Sequence, residues 1–108
     1  MSEWIEVCNL EKILPDSGVC ALINQKQVAL FRWGAGDTVY AIDNFDPFSK
    51  ANVLSRGLVG DLKNQPVVAS PIYKQHFNLK SGACLEDASV QLNTYPAKVE
   101  QGCVKVRV

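Results

Sequence analysis

The stretch Ser70-Pro71-Ile72-Tyr73-Lys74-Gln75-His76-Phe77-Asn78-Leu79-Lys80-Ser81-Gly82 has the rhythm of a metal-binding loop. A proline follows its first residue, an aromatic comes two residues later, and an alternating strand then runs toward a glycine. It contains no cysteine. Its one histidine, His76, alternates with Phe77 on the strand after the turn, away from the places where ligands are expected. The frame of such a loop is kept and its ligands are left out.

The neighbouring sequence repeats the arrangement. The run Pro66-Val67-Val68-Ala69 reads as a strand feeding this loop. Further upstream, Thr38-Val39-Tyr40-Ala41-Ile42-Asp43 reads as a strand feeding Asn44-Phe45-Asp46-Pro47-Phe48. Two strands thus each end in a proline-bearing loop. A long connection through Leu54, Gly57 and Gly60 separates them. The segment from Pro47 to Leu58 has room for one helical turn, limited by Gly57, and reads equally well as a long loop.

The dominant pattern elsewhere has period two, the signature of strands with one side buried. Val28, Leu30 and Arg32 alternate with Ala29, Phe31 and Trp33, and Val104, Val106 and Val108 alternate with Cys103, Lys105 and Arg107. Turn residues punctuate the runs: Pro15 to Gly18, Asn24-Gln25, Gly34 to Asp37, and Gln101-Gly102, where glycine suits a tight hairpin. Helical signals are weak. The Glu11-Lys12-Ile13-Leu14 segment is short and stopped by Pro15. Leu85 to Leu92 is ambiguous, with Val90 and Leu92 able to share one face of a strand. The class expected is all-β, with short strands at close spacing.

A chain of 108 residues is one domain, residues 1–108. At 47% hydrophobic and 20% charged residues it has the composition of an ordinary globular protein, able to build one core without staples. Eleven basic residues balance eleven acidic ones with no basic run, so neither nucleic acid nor a membrane surface has a visible footprint. The N-terminus lacks the positive start and apolar stretch of a signal peptide, and the expected location is the cytoplasm. Cys8, Cys20, Cys84 and Cys103 form no C-x-x-C pair and have no histidine close by. They are expected to be small buried hydrophobes.

The two loops and their surroundings resemble the Rieske family, whose 2Fe–2S cluster is held by one cysteine and one histidine from each of two such loops. The mixture of thiolates and imidazoles raises the reduction potential. Ala41, Asn44, Pro47, Leu54, Gly57, Pro71, Phe77, Leu79 and Gly82 fall in register with the family pattern, and the segment from Tyr95 to Val104 looks like its closing hairpin. The resemblance implies an antiparallel β-sandwich of small sheets. It departs at the ligands. Asp46 and Ser70 stand in the cysteine positions, and Phe48 and Tyr73 in the histidine positions. Phe48 has no donor atom, and a serine alkoxide is much harder to form than a thiolate. No cluster and no metal site is therefore expected.

Within that family the chain is similar to the cluster-free small subunits of assimilatory-type NAD(P)H nitrite reductases. The similarity lies in Gly18 to Leu22, Asp46 to Phe48, Val53 to Leu58 and Val68 to Pro71. It implies a non-catalytic subunit with no cofactor of its own. Its partner would be a large subunit carrying FAD, sirohaem and a 4Fe–4S cluster, which reduces nitrite to ammonia.

Phe48 and Tyr73 are candidate partner contacts, because in the family the loops form an exposed tip. The plainer expectation is that the two aromatics pack on each other in the space a cluster would fill. Asp46 and Ser70 suit local turn formation. Arg56 and Lys74 flank the loops, and His76 reads as a loop-supporting imidazole. No nucleophile–base pair for hydrolysis is visible. Two other function classes stay open: a stand-alone Rieske-type ferredoxin-like electron carrier, and a generic β-domain interaction module.

Overall fold

A computed structural model describes residues 3–108. The described residues form twelve strands: β1 (Trp4–Asn9), β2 (Ser17–Ile23), β3 (Lys26–Trp33), β4 (Thr38–Asp43), β5 (Phe45–Asp46), β6 (Ala51–Asn52), β7 (Leu58–Leu62), β8 (Gln65–Ala69), β9 (His76–Asn78), β10 (Thr94–Tyr95), β11 (Ala97–Glu100) and β12 (Cys103–Arg107). They make four antiparallel sheets, in the orders β1-β12-β11, β10-β4-β3-β2, β5-β6 and β7-β8-β9. Among the described residues there is no α-helix, only single 3-10 turns at Leu10–Lys12 and Leu54–Arg56. No helix among them is long and apolar enough to cross a membrane.

The central sheet carries the architecture. Both faces of β3 are buried, not one: Val28, Ala29, Leu30 and Phe31 are all fully inaccessible. Val28 and Leu30 join Val39, Ala41, Ile13 and Ile23 in a cluster with Val104 and Val106 of β12. Ala29 and Phe31 join Ile42 and Leu54 in a second cluster with Val68 of β8 and Phe77 of β9. The β10-β4-β3-β2 sheet is therefore the middle of three layers. Alternation on β3 distinguishes two apolar environments, which is why period two alone suggested a strand with one wet side.

Arg32 explains how the same strand ends in a polar residue. Its guanidinium donates to the carbonyls of Gly36 at 2.8 Å, Ala35 at 2.9 Å and Ile13 at 3.0 Å, pinning the β3–β4 turn and the residue before Leu14 together.

The hairpins follow a common rule. The β2–β3, β7–β8 and β11–β12 pairs are each joined by two residues in the left-handed region: Asn24-Gln25, Lys63-Asn64 and Gln101-Gly102. This backbone matches the twist of the flanking strands. Asn24, Asn64 and Gly102 suit that backbone, whereas Gln25, Lys63 and Gln101 are held in it by strand pairing.

The helical turn admitted for Pro47 to Leu58 is the 3-10 turn Leu54–Arg56, ended by Gly57. A side chain at Gly57 would meet the Ala69 carbonyl and, at 2.7 Å, a Val68 methyl. Its absence lets the turn lie directly on β8. Leu85 to Leu92 forms no strand. An isolated bridge joins Ala83 to Gln91, and a turn closed by Asp87 delivers Val90 and Leu92 to the second cluster.

Candidate functional site

The loops after β4 and β8 are built alike. In Asp46-Pro47-Phe48-Ser49-Lys50, the Phe48 N–H donates to Asp46 Oδ1 at 2.9 Å and the Lys50 N–H to the Asp46 carbonyl at 2.7 Å. In Ser70-Pro71-Ile72-Tyr73-Lys74, the Ile72 N–H donates to Ser70 Oγ at 3.3 Å and the Lys74 N–H to the Ser70 carbonyl at 3.2 Å. Both lysines take positive φ, 58° and 66°. Each loop is a tight turn wrapped round the polar side chain that precedes its proline, as Asx and Ser turns are.

The two turns are also tied to each other. Ser70 Oγ donates to Asp46 Oδ2 at 2.5 Å, and the Ser49 hydroxyl donates to the same oxygen at 3.0 Å. Both Asp46 and Ser70 are 0% exposed. A carboxylate so placed needs donors, since an unpaired buried charge is costly. Asp46 has three: one amide and two hydroxyls. Local turn formation is thus only half of what these residues do. The bond across the loops spans 24 residues of sequence and no local signal announces it.

Asn44, 1% exposed, anchors the first loop from below. Its Nδ2 donates to Gln27 Oε1 at 3.0 Å and to Cys20 Sγ at 3.4 Å, and its Oδ1 accepts the Ser55 N–H at 2.8 Å. Its carbonyl accepts the Leu54 N–H at 3.1 Å. One side chain thereby holds β3, the loop and the 3-10 turn in register.

The aromatics part company. Phe48 turns inward, half-buried, with its ring 6.1 Å from that of Phe77 at 46°. Tyr73 is 60% exposed, as is its neighbour Ile72 at 46%. The expected packing of Phe48 on Tyr73 is therefore incorrect: Phe77 from β9 supplies the partner, and the second turn directs Tyr73 to solvent.

The family model for the Rieske-like 2Fe–2S domain matches residues 3–107. The NADH nitrite reductase small subunit of Escherichia coli (strain K12) is 46% identical over 107 residues, 99% of either chain. The crystal structure of a putative NADH-dependent nitrite reductase small subunit from Mycobacterium tuberculosis superposes with a TM-score of 0.94 at 43% identity, covering 100% of this chain and 96% of that one. The chain belongs to the Rieske-like family. Within it, it groups with the nitrite reductase small subunits. A third relative is a larger protein. The NAD(P)H nitrite reductase large subunit of Klebsiella oxytoca contains, in 11% of its length, a segment 45% identical to 95% of this chain.

The Rieske-like frame can now be tested against the group that gives the family its name. Its cysteine seats hold Asp46 and Ser70, whose oxygens are engaged with one another and with loop donors. Its histidine seats hold a phenylalanine packed into the core and an exposed tyrosine. The residues present do not fit a 2Fe–2S cluster. Among the described residues no three His, Cys, Asp or Glu side chains gather as a metal site.

His76 supports the second loop from behind. Its ring Nδ1 lies 2.6 Å from Glu86 Oε2, and its N–H donates to Glu86 Oε1 at 2.7 Å. Partial burial pushes the Glu86 carboxyl up, but the His76 hydrogen bonds and charge outweigh it and hold the group below its ordinary value. The cysteines divide. Cys84 is buried, Cys8 and Cys103 are half-buried, and Cys20, on the edge strand β2, is exposed although its Sγ still accepts from Asn44. The expectation of burial fails for Cys20: an apolar run does not reveal which of its residues faces out. Partial desolvation raises the Cys20 and Cys84 thiols above their ordinary range, and the Glu86 carboxylate that Cys84 Sγ meets at 3.7 Å works in the same direction on Cys84.

Asp43 and Tyr95 form a second polar tie that sequence reading missed. The Tyr95 hydroxyl donates to Asp43 Oδ1 at 2.6 Å, and the Asn93 N–H donates to Oδ2 at 3.1 Å. Burial, with the adjacent carboxylate, pushes the Tyr95 hydroxyl up to about 12. The partners are 52 residues apart, and only the pairing of β10 with β4 brings them together. Asp43 is thus engaged with Asn93 and Tyr95.

Proposed function

We propose that the chain is the non-catalytic, cofactor-free small subunit of an assimilatory-type NAD(P)H nitrite reductase. It acts in the cytoplasm on a large subunit that carries FAD, sirohaem and a 4Fe–4S cluster and reduces nitrite to ammonia. The observation that carries the reading is the Asp46–Ser70 bond, in a chain matching a nitrite reductase small subunit over 99% of its length. Two loops of the cluster-bearing type are closed by side-chain oxygens, so the tip keeps its shape without a thiolate or an imidazole. Such a domain offers a shaped surface and no electron carrier.

The Klebsiella oxytoca large subunit supports the choice of partner. There a segment similar to this chain is part of the large subunit's own polypeptide, which ties the two covalently. A separate small subunit must supply that proximity through an interface. Its contribution is then assembly or tuning of the large subunit, and none of its side chains handles nitrite.

Purification of the complex tests this. The chain, co-expressed with the large subunit, is expected to co-purify with it and to be colourless and iron-free when isolated alone. Iron with acid-labile sulfide in the isolated chain would return it to the electron carriers. Failure to co-purify, with nitrite turnover unchanged by its presence, would leave a generic interaction module.

A further inference from the structure

We infer that the tip made by the two paired turns is the docking face of the chain. The surface it fits is apolar at its centre and acidic at its edge. The identity of that surface, a face of the large subunit, rests on the function proposed above.

The apolar centre is Ile72 and Tyr73, 46% and 60% exposed. They do not reach solvent because the loop is loose. Ser70 accepts at both its hydroxyl and its carbonyl, and its own N–H donates to the Gln75 carbonyl at 2.9 Å. The turn is closed at three points and still points its two largest apolar side chains outward. Rigid aromatic and aliphatic side chains held ready for contact lose little freedom on binding, and tyrosine is enriched among the residues that dominate interface energies.

The edge is positive. Lys50 and Lys74 occupy equivalent places in the two turns, each backbone amide bonded to the carbonyl of the residue that makes the Asp46–Ser70 tie. Both are exposed, and neither pairs with a carboxylate among the described residues. Arg56, also exposed and unpaired, precedes Gly57, which backs onto Ala69 at the foot of the second turn. The one carboxylate in either turn is Asp46, buried with its oxygens occupied. In a chain with eleven charges of each sign, the tip therefore shows cations alone. Such a rim steers association with an acidic surface and makes its rate salt-dependent.

A second apolar surface competes with it. The edge strand β2 exposes Leu22 at 74%, beside a groove of about 390 Å³ between β1 and β2. The experiment weighs the two surfaces against each other. Binding to the purified holo large subunit is measured over a salt series for the wild type, Tyr73→Ala, Lys50→Glu/Lys74→Glu and Leu22→Glu, each verified as folded by circular dichroism. The tip predicts a loss of about tenfold or more for Tyr73→Ala, seen mainly in dissociation. It predicts a similar loss for the charge reversal, seen mainly in a slower association that no longer weakens with salt. Leu22→Glu should bind as the wild type does.

Wild-type-like binding by both tip variants, or loss of binding with Leu22→Glu alone, overturns the docking face and leaves the function standing. No binding by the wild type overturns the function and the docking face with it.

Discussion

Ser70 is a hydroxyl donor committed to a buried carboxylate, and its removal isolates what the tie between the turns contributes. Ser70→Ala leaves Asp46 Oδ2 with Ser49 alone and takes from Ile72 its acceptor. A loss of about 1–3 kcal/mol is expected, the usual cost of leaving a buried polar group short of a partner, read as a lower urea midpoint at unchanged slope. Tyr95 yields a pH prediction. Its hydroxyl is raised from 10.0 to about 12, so folding favours the neutral form. The stability this supplies is complete below pH 10 and is lost as the pH rises through about 12. Tyr95→Phe should be less stable than the wild type at neutral pH, and the difference between the two should shrink across that window in parallel melts. Both residues show where sequence reading stops. The position of Ser70 before a proline announces a turn. Nothing near it announces Asp46, just as nothing near Tyr95 announces Asp43, because each partner is chosen by the register of strands and not by neighbours in the chain.

At the scale of elements, strands and turns were largely readable and their faces were not. Alternation located β3 and β12 and the Gln101-Gly102 hairpin, since period two and turn chemistry are local properties. It did not reveal that β3 lies between two cores, because that depends on which sheets cover it. β1 was missed: its residues Trp4–Asn9 pair with β12 at the far end of the chain, through a register shift between Glu6 and Cys8. Gly57 belongs to the same scale. The 3-10 turn Leu54–Arg56 lies against β8 only because no side chain intervenes. Gly57→Ala is expected to destabilise the domain by about 1–3 kcal/mol, as overpacking does, and to disturb the first loop through Leu54 and Asn44. Amide exchange would report it: faster exchange at Leu54 and Ser55, whose N–H groups bond to Asn44, with protection kept in β11 and β12.

The whole molecule is organised round one shared sheet. Because β3 and β4 contribute to both clusters, neither core can be lost while the other persists. Unfolding should be a single transition. Tryptophan fluorescence, reporting on Trp4 in the outer β1-β12-β11 sheet and Trp33 at the end of β3, should give the same midpoint as far-ultraviolet circular dichroism. Two separated midpoints would mean that the layers melt independently. The same organisation bears on function. The β11–β12 hairpin packs on one face of the central sheet through Val104 and Val106, and the 3-10 turn, β8 and β9, beside which the proposed docking turns lie, pack on the other through Leu54, Val68 and Phe77. Family resemblance was legible because the framework residues Asn44, Gly57, Phe77 and Gly82 are fixed by packing. The docking face was not, since exposure of Ile72 and Tyr73 is decided by the closure of a turn in three dimensions.

The bond between Asp46 and Ser70 has a consequence for how the protein is made. It is assembled from atoms the ribosome supplies, and it closes when β4 and β8 take their places. The tip is therefore expected to mature at the speed of folding, without a scaffold protein to deliver a prosthetic group and without regard to iron supply. It should also survive air, peroxide and chelators that would strip an iron–sulfur protein of its shape.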